Sequence, residues 1–466
     1  MSLFRPPAPP RQPEDQSPLA TLHHMRHCPV SALRQSSYRV KMARLNFITR
    51  TIWLINDLPL VKEILGDHDD RFPKSVIMDQ VLGMLVNHSS FISNGDVWRR
   101  RRRMMEMAFG QAGLKRVFPL MRASVADMTD RVALAARQDI VAVDFEMAHV
   151  TADIIFRTVF STPLTRIDAT TIYDAFARFQ KEMIRYGNAA TIRLPKLFSF
   201  FTLKRARQAA GEIRSRLDSL IKARMDAAAR GEAGSEQDIL ATLLAVEDPE
   251  TGTRFSYGEL CEEIATLMLA GHETSSSTLA WSLYLLANAP DIQERARLEV
   301  STVLGERPAE FRDIKRLSLI RNILREALRL YPPVPFMARD VAVPQLMRGH
   351  KLAAGSTIYL SPWILHRSEK NWSEPDSFDP DRFDRPETAE AQRSAYLPFS
   401  TGPRVCLGAA FAMQESTLIL AELVRRFRFD PVEGSNPIPR MRLSLRADTE
   451  IRLRISECRS LVAHAP

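Results

Sequence analysis

The chain has 466 residues, of which 45% are hydrophobic, an ordinary composition for a globular protein that can bury a large core. Its formal net charge of +9 allows a nucleic acid, a membrane surface or an acidic protein as partner, and composition alone does not choose among them. The cysteines are far apart and show no paired spacing: Cys28, Cys261, Cys406 and Cys458. This usage argues against a disulfide framework and favours a reducing compartment, so we expect a cytoplasmic protein.

Residues 1–20 form a polar, proline-rich N-terminal segment. A signal peptide would need an apolar centre at this place, and no run of about eighteen uncharged apolar residues occurs anywhere in the chain. We therefore expect a flexible segment over residues 1–20, a single domain over residues 21–466 and no transmembrane anchor.

Residues 38–58 are rich in β-branched and aromatic side chains and predict a strand pair. Further on, Trp98 and the five arginines that follow it open a helical stretch to about Arg137, with an interruption near Gly110. Trp98 and Arg102 are four residues apart and share one face of this helix, whereas the other arginines point around the cylinder. Such a run would often mark a nucleic-acid patch, but it does not form one basic face here.

The pattern from Val141 to Arg230 is helical, with breaks near Pro163 and Pro195. Residues 193–201 are the most apolar exposed candidate in this region. They either pack in the core, line an entrance to a pocket or rest on a membrane surface. The sequence leaves these alternatives open.

A long helix is predicted from Glu259 to Ala289. Its centre combines Gly271, Glu273 and Thr274 with several serines. Glycine destabilises a helix interior, and serine and threonine hydroxyls compete for backbone carbonyl groups. Choices that are locally unfavourable often mark function, so this centre is a candidate site.

A shorter helix over residues 322–331 carries Glu326 and Arg329 on one face. On a surface helix such an ion pair contributes only roughly a few tenths of a kcal/mol and is common. A strand is predicted at residues 357–360, and the sequence Phe-Asp-Pro-Asp-Arg-Phe follows at residues 378–383.

The last motif spans residues 399–408 and places Cys406 in a glycine-punctuated loop before a helix predicted at residues 409–424. A thiolate is favoured there, because unpaired N–H groups and the helix dipole lower the pKa of a cysteine. Gly402 and Gly408 let the backbone turn tightly and approach a large flat group. The alternative is an inert, buried cysteine beside a helix.

Residues 399–408 match the F-x-x-G-x-R-x-C-x-G signature of the cytochrome P450 superfamily at every specified position. This resemblance implies that Cys406 is the axial thiolate ligand of the iron of a haem b. It also implies that Phe399 packs near the sulfur and that Arg404, a fixed positive fork, binds a haem propionate.

The W-x-x-x-R pattern resembles that of a helix in the same superfamily, and it implies that Trp98 and Arg102 hydrogen-bond a haem propionate. Arg339 matches an arginine that reaches a propionate as well. Two interpretations stay open for Arg99 and Arg101: a positive docking surface for an acidic electron carrier, or a solvated basic face.

The centre of the long helix resembles the A-G-x-E-T pattern of the superfamily. This implies that Thr274 holds oxygen or a water, that Glu273 resupplies the proton, and that Gly271 lets the helix open locally. The E-x-x-R helix and the later Asp-Arg-Phe segment, which has Asp where the family has Glu, imply a buried structural triad. The triad consists of Glu326, Arg329 and Arg382.

The resemblance implies a mainly α-helical fold with small β-sheets, in which the haem lies between the long helix and the cysteine loop. It implies a monooxygenase that activates dioxygen and inserts one oxygen atom into a small lipophilic substrate, by hydroxylation or epoxidation. No G-x-G-x-x-G follows a strand, so electrons are expected from a ferredoxin or flavodoxin with its reductase. We expect a monomer without a nucleic-acid partner.

Two other functions remain. One is a haem-thiolate isomerase or peroxygenase that works without a redox partner, which the pairing of Thr274 with Glu273 disfavours. The other is a non-catalytic haem-binding sensor or a basic nucleic-acid-binding protein, which the arginine run suggests. A carbon monoxide spectrum of the reduced protein separates thiolate-ligated haem from both histidine-ligated and haem-free protein.

Overall fold

The computed structural model describes most of residues 3–458. The residues in that range that it does not describe are 18–19, 22–23, 25–27, 48–49, 68–69, 165–170, 172–174, 184–185, 187–199 and 231–237. The expected fold class, mainly α with small β-sheets, is confirmed.

Helices form most of the described part of the chain. They are α1 Leu58–Gly66, α2 Val76–Val86, α3 Gly95–Phe109, α4 Gln111–Ala135, α5 Val143–Phe160, α6 Phe200–Ala229, α7 Ile239–Ala245, α8 Tyr257–Ala287, α9 Pro290–Leu304, α10 Ser318–Leu330, α11 Pro362–Leu365, α12 Ala389–Ser394 and α13 Ala409–Arg426. Residues 175–183 are helical as well. In the described residues no helix is both long and apolar enough to cross a bilayer.

The strands pair into four small sheets in the described residues. They are β1 Met42–Phe47, β2 Arg50–Ile55, β3 Ile140–Ala142, β4 Met337–Asp340, β5 Gln345–Met347, β6 His350–Leu352, β7 Thr357–Leu360, β8 Phe427–Pro431, β9 Pro439–Met441, β10 Leu445–Ala447 and β11 Arg452–Glu457. The largest sheet has the order β1-β2-β7-β4, with β2 and β7 parallel and the other pairs antiparallel. β3 pairs with β11 and β8 with β11, so the chain end returns to the start of α5.

The helix α8 is the centre of the core. Its N-terminus is fixed by a capping box, in which the Ser256 hydroxyl accepts from the Glu259 amide and the Glu259 carboxylate accepts from the Ser256 amide. Almost every residue from its middle to its end is buried. The helix α8 begins and ends two residues before the predicted helix, residues 259–289.

Several other sequence predictions agree with the structure. The strand pair expected in residues 38–58 is the antiparallel hairpin of β1 and β2. The helical stretch after Trp98 is interrupted at Gly110, which is the N-cap of α4, and β7 occupies the predicted residues 357–360. The strand β3 was not expected, because three residues between two helices give no alternating pattern to detect.

The N-terminal segment differs from the flexible tail that its composition predicts. The Phe4 carbonyl accepts from the Phe378 amide at 2.8 Å, and the Pro7 carbonyl accepts from the Tyr331 hydroxyl at 2.8 Å. Arg11 donates to Asp376 at 3.0 Å. A proline-rich segment can be ordered. Because the proline ring already fixes φ, the segment loses little conformational entropy when it binds to the protein surface in an extended form.

Removal of residues 1–17 should therefore lower the free energy of unfolding by at least about 2 kcal/mol, since several tertiary hydrogen bonds are lost. Thermal unfolding of the truncated and full-length proteins measures the difference. Arg5→Ala serves as a control, because this exposed side chain contributes one solvent-screened ion pair to Asp376 and should have little effect. Equal stability of the truncated and full-length proteins would show that the segment contributes nothing.

Candidate haem-binding site

The cysteine loop is a rigid turn that ends at the N-terminus of α13. The Cys406 amide donates to the Phe399 carbonyl at 2.9 Å, which closes the loop. Gly402 has a φ of +72°, and a Cβ there would lie 2.1 Å from the Leu65 carbonyl oxygen of α1. Only glycine fits this position, so Gly402 is explained by the turn and by close packing on α1.

The Cys406 thiol is influenced by burial and by polar groups near the loop. The residue has accessible surface, yet burial is the largest influence on its thiol and raises its pKa. The Gly408 amide, Arg102 and Lys74 act in the opposite direction. The net direction is upward, so the expected lowering by the helix N-terminus is wrong for the protein alone, because desolvation outweighs the dipole. A coordinated metal removes the thiol proton directly.

Cationic side chains lie near the cysteine loop. Arg102 donates through Nη1 to the Val405 carbonyl at 2.8 Å and pairs with Glu106. The guanidinium carbon of Arg404 lies 3.7 Å from the centre of the Trp98 ring, which fixes both side chains. Trp98, Arg102 and Arg404, predicted from two distant motifs, thus meet beside Cys406.

Arg339 completes the set of predicted propionate ligands. It is buried on β4, and its backbone forms an isolated bridge with Lys74, which influences the Cys406 thiol. No sequence motif points to Lys74, because it lies alone between α1 and α2. Asn94, whose side chain accepts from Arg404 at 3.1 Å, was missed for the same reason.

These residues fit a thiolate-ligated haem. The donor set combines a thiol just before a helix N-terminus with arginines suited to two carboxylate groups. On the open side of the loop, a Cβ at Gly408 would meet no atom of the described residues within 4 Å. Since the φ of Gly408 is an ordinary −83°, a side chain is not excluded by the backbone, and close approach of a flat group accounts for the glycine better than a tight turn.

The centre of α8 carries the predicted acid and alcohol. The Thr274 hydroxyl donates to the Ala270 carbonyl at 2.9 Å. The buried Glu273 carboxylate lies 3.1 Å from Arg446 Nε on β10 and accepts from Gln180 Nε2 at 2.6 Å. Gln180 and Arg446 were not predicted, because each lies far from Glu273 in the sequence.

Gly271 has a different explanation from the expected one. The helix α8 is continuous through this residue, and a Cβ there would lie 2.6 Å from Ile155 Cδ1 of α5. The glycine therefore lets two buried helices pack closely, and the structure shows no local opening of the helix.

The Glu326, Arg329 and Arg382 side chains meet in the core, where none has exposed side-chain surface. Arg329 forms two bonds to Glu326, at 2.7 and 2.8 Å, and Arg382 adds one at 2.9 Å. Burial raises the pKa of Glu326, but Arg329 and Arg382 outweigh it and the net direction is downward. The shared carboxylate is thus held in its charged form.

The triad extends to the cysteine loop through His366. Arg329 donates to the His366 carbonyl at 2.7 Å, and the His366 Nε2 accepts from the Leu397 amide at 2.8 Å. Burial lowers the pKa of His366 to about 3, which keeps the ring neutral and able to accept. Leu397 stands two residues before Phe399, so the triad fixes the start of the loop.

The comparisons with known proteins decide the family. The chain matches the family model described as Cytochrome P450 over residues 17–454. This chain belongs to the cytochrome P450 family. It is 34% identical over 350 residues to cyclooctatin synthase of Streptomyces melanosporofaciens, which covers 75% of this chain and 74% of that relative.

A second relative is pentalenene oxygenase of Streptomyces avermitilis, with 32% identity over 364 residues, 77% of each chain. The crystal structure of the heme domain of cytochrome P450DA matches with a TM-score of 0.81 and 26% identity, and covers 98% of this chain and 99% of that one. This P450 is accordingly a haem-thiolate oxidoreductase of the monooxygenase type, and its cofactor is haem b.

Most arginines of the run at residues 99–103 form ion pairs within this P450. Arg101 is buried and contacts Glu262 at 2.7 Å, so both interpretations of it, docking surface and solvated face, are wrong. Arg100 pairs with Glu259, and Arg103 with Asp248. These bonds fix α3 to α8 and to the loop before it. Arg99, beside Asp96, keeps about two fifths of its side chain exposed.

Two further predictions have different outcomes. All four cysteines are free, as expected from their spacing. The apolar block at residues 193–201 lies outside the described residues, apart from the backbone of Phe200 and an exposed Phe201 on α6. Its alternatives therefore stay open.

Arg329→Ala should abolish stable haem incorporation, because it leaves the Glu326 carboxylate in the core with one guanidinium fewer. The expected loss of stability is about 3 to 5 kcal/mol. Haem content per polypeptide and thermal unfolding measure it. Arg321→Ala, on an exposed position of the same helix, is the matched control and should retain haem. A fully haem-loaded Arg329→Ala protein of normal stability would contradict the structural role.

Proposed function

We propose that this P450 hydroxylates or epoxidises a small lipophilic substrate with dioxygen and with electrons from a separate ferredoxin or flavodoxin and its reductase. The observation that carries the proposal is the acid and alcohol at the centre of α8, with the acid Glu273 held in place by Arg446 and Gln180. When bound, the haem supplies the activation of dioxygen for transfer of one oxygen atom.

The protein's part is to hold and move protons. Thr274 carries a hydroxyl that can donate from Oγ1, and Glu273 carries the exchangeable proton behind it. In the present arrangement Thr274 donates to the Ala270 carbonyl, and Glu273 turns toward Arg446. Resupply of the Thr274 proton therefore requires Glu273 to leave Arg446. An acid and alcohol serve no purpose in a peroxide isomerase, which takes up no protons, so this pair favours the monooxygenase over that alternative.

A separate electron carrier is supported by charge. Arg102 and Lys74 act on the Cys406 thiol, and Arg99 is partly exposed one turn away on α3. An acidic ferredoxin or flavodoxin fits this cationic side of the protein. We also propose a single haem domain over residues 21–466, a monomer and a cytoplasmic location.

The substrate class rests on the relatives. One of them is named for the oxygenation of pentalenene. We therefore propose a lipophilic organic substrate for this chain, and the titration of the purified, haem-loaded protein with fatty acids, terpenoids and steroids as the test. A substrate that enters the pocket should convert the haem from low spin to high spin. Absence of a shift with all three classes would contradict the proposed class.

Reduced protein with carbon monoxide should absorb at about 450 nm, because the axial ligand is a thiolate. Cys406→His should abolish this band, while Cys261→Ala, which changes a free cysteine on the first turns of α8, should keep it. A band in Cys406→His identical to that of the unmodified protein would mean that the iron uses another ligand.

Thr274→Ala should keep haem binding and the carbon monoxide band but lower the product formed per electron pair by at least about tenfold. The remaining electrons should appear as hydrogen peroxide or water. Thr278→Ala is the matched control, because its hydroxyl lies one turn further along and only donates to the Thr274 carbonyl. Unchanged coupling in Thr274→Ala would remove the proton-holding role of this residue.

A further inference from the structure

A second buried acid lies against α8 and takes no part in the chemistry above. Glu415 is on α13 and has no exposed surface. Its Oε1 accepts from the Ser275 hydroxyl at 2.5 Å, and Ser275 is the residue that follows Thr274. The other carboxyl oxygen, Oε2, is buried and has no hydrogen-bond partner among the described residues.

Among the described residues, no cationic side chain acts on the Glu415 carboxyl. Four ion pairs lie on α13 and on the elements packed against it, and none of them includes Glu415. These pairs are Arg425 with Glu422, Arg426 with Asp130, Arg297 with Glu294, and Arg329 with Glu326. Only two influences act on the Glu415 carboxyl: burial, which raises its pKa to about 8, and the Ser275 hydroxyl, which lowers it. The geometry alone leads to the same conclusion, since an ionised carboxylate without a cation is strongly unfavourable in the core.

The contact also joins the two functional elements of the site. Helix α13 begins three residues after Cys406, and α8 carries Thr274 directly before Ser275. A bond between Ser275 and Glu415 therefore fixes the segment that presents the thiol relative to the segment that presents the alcohol. Both are long helices, so a displacement at this contact is carried along each of them.

We propose that Glu415 is protonated in the folded protein at neutral pH and that the Ser275–Glu415 pair positions the Cys406 loop relative to Thr274. Glu415 is a positioning residue in this proposal and touches neither substrate nor cofactor. The pair goes beyond the monooxygenase assignment, because it holds for any reaction that uses the Cys406 loop and α8 together.

The sign of the pH effect follows from the raised pKa. Between its ordinary value of about 4.5 and the value of about 8 in the folded protein, Glu415 binds a proton in the folded state and loses it on unfolding. The contribution of Glu415 to the free energy of unfolding therefore falls as pH rises through that window. A neutral side chain of the same shape at position 415 should abolish this loss of stability with rising pH.

The test uses three variants of the haem-loaded protein. Glu415→Gln keeps an acceptor for Ser275 and removes the titration. Glu415→Leu removes both, and Ser275→Ala removes the contact but keeps the titration. Ser282→Ala is the control, because this buried hydroxyl on α8 donates only to the Thr278 carbonyl of its own helix. The midpoint of thermal haem loss and the share of the carbon monoxide band at about 450 nm are measured from about pH 5 to about pH 8.

Glu415→Gln should match the unmodified protein at about pH 5 and exceed its midpoint by about 3 °C at about pH 8. Glu415→Leu and Ser275→Ala should each lose part of the band at about 450 nm at every pH, whereas Ser282→Ala should keep it. Ser275→Ala should also keep the fall of the midpoint with rising pH, because Glu415 is still present.

Two results would overturn the proposal. Parallel pH curves for Glu415→Gln and the unmodified protein would show that Glu415 holds no proton in the folded state. A full band in Glu415→Leu and Ser275→Ala would show that the pair positions nothing. The band of the unmodified protein reports the Cys406 thiolate independently, so a wrong axial ligand is distinguished from a wrong role for Glu415.

Discussion

The carboxylate of Glu326 must satisfy two guanidinium groups and a backbone amide in a place that water does not reach. A charge in that position is tolerable only while all its partners are present. This requirement fixes the end of α10 relative to the segment that carries Arg382. Arg329 also donates to the His366 carbonyl, and the His366 ring accepts from the amide of Leu397, where the cysteine loop begins. The position of Cys406 therefore depends on an ion network many residues away.

The Cys406 thiol is subject to opposing electrostatic influences. Burial raises the pKa of Cys406 in the protein alone, and the cations Arg102 and Lys74 with the Gly408 amide only partly oppose it. The family resemblance implies that Arg404 and Arg339 bind the two carboxylates of a haem. Arg404 is held over the Trp98 ring and Arg339 is buried on β4 before any ligand arrives. Such preorganisation lowers the entropy lost on binding.

The parts of the site that the sequence predicts are those that form fixed spacings within one element. Cys406 with Gly402 and the pair Glu326 and Arg329 are of this kind, and the structure brings each group together. What the sequence does not contain is the partner across the fold. Arg446 meets Glu273 from a strand near the chain end, and Lys74 meets the cysteine loop from a connection between two helices. Pairs of this kind leave no periodic pattern.

The sequence predicted the motifs better than it predicted the structural environment of single residues. Gly271 belongs to a functional pattern, yet its neighbour is Ile155, and helix packing explains it. The arginine run has the composition of a basic patch, yet Arg101 is buried among carboxylates that the sequence places far away on α8. The proline-rich N-terminus has the composition of a tail, yet Tyr331 and Phe378 hold its backbone. In each case tertiary contacts, which composition does not encode, decide the outcome.

The side chains of three successive residues of α8, residues 273–275, point in three different directions. Each residue advances the helix by about 100°, so Glu273 and Ser275 lie on nearly opposite faces with Thr274 between them. Glu273 is tied to Arg446 on β10 and Ser275 to Glu415 on α13, while Thr274 donates only within its own helix. The alcohol is therefore the one member free to exchange its hydrogen bond without breaking a tertiary contact. Its position is nevertheless set from both sides, by an acid that lies beside a cation on one face and by a carboxyl without one on the other.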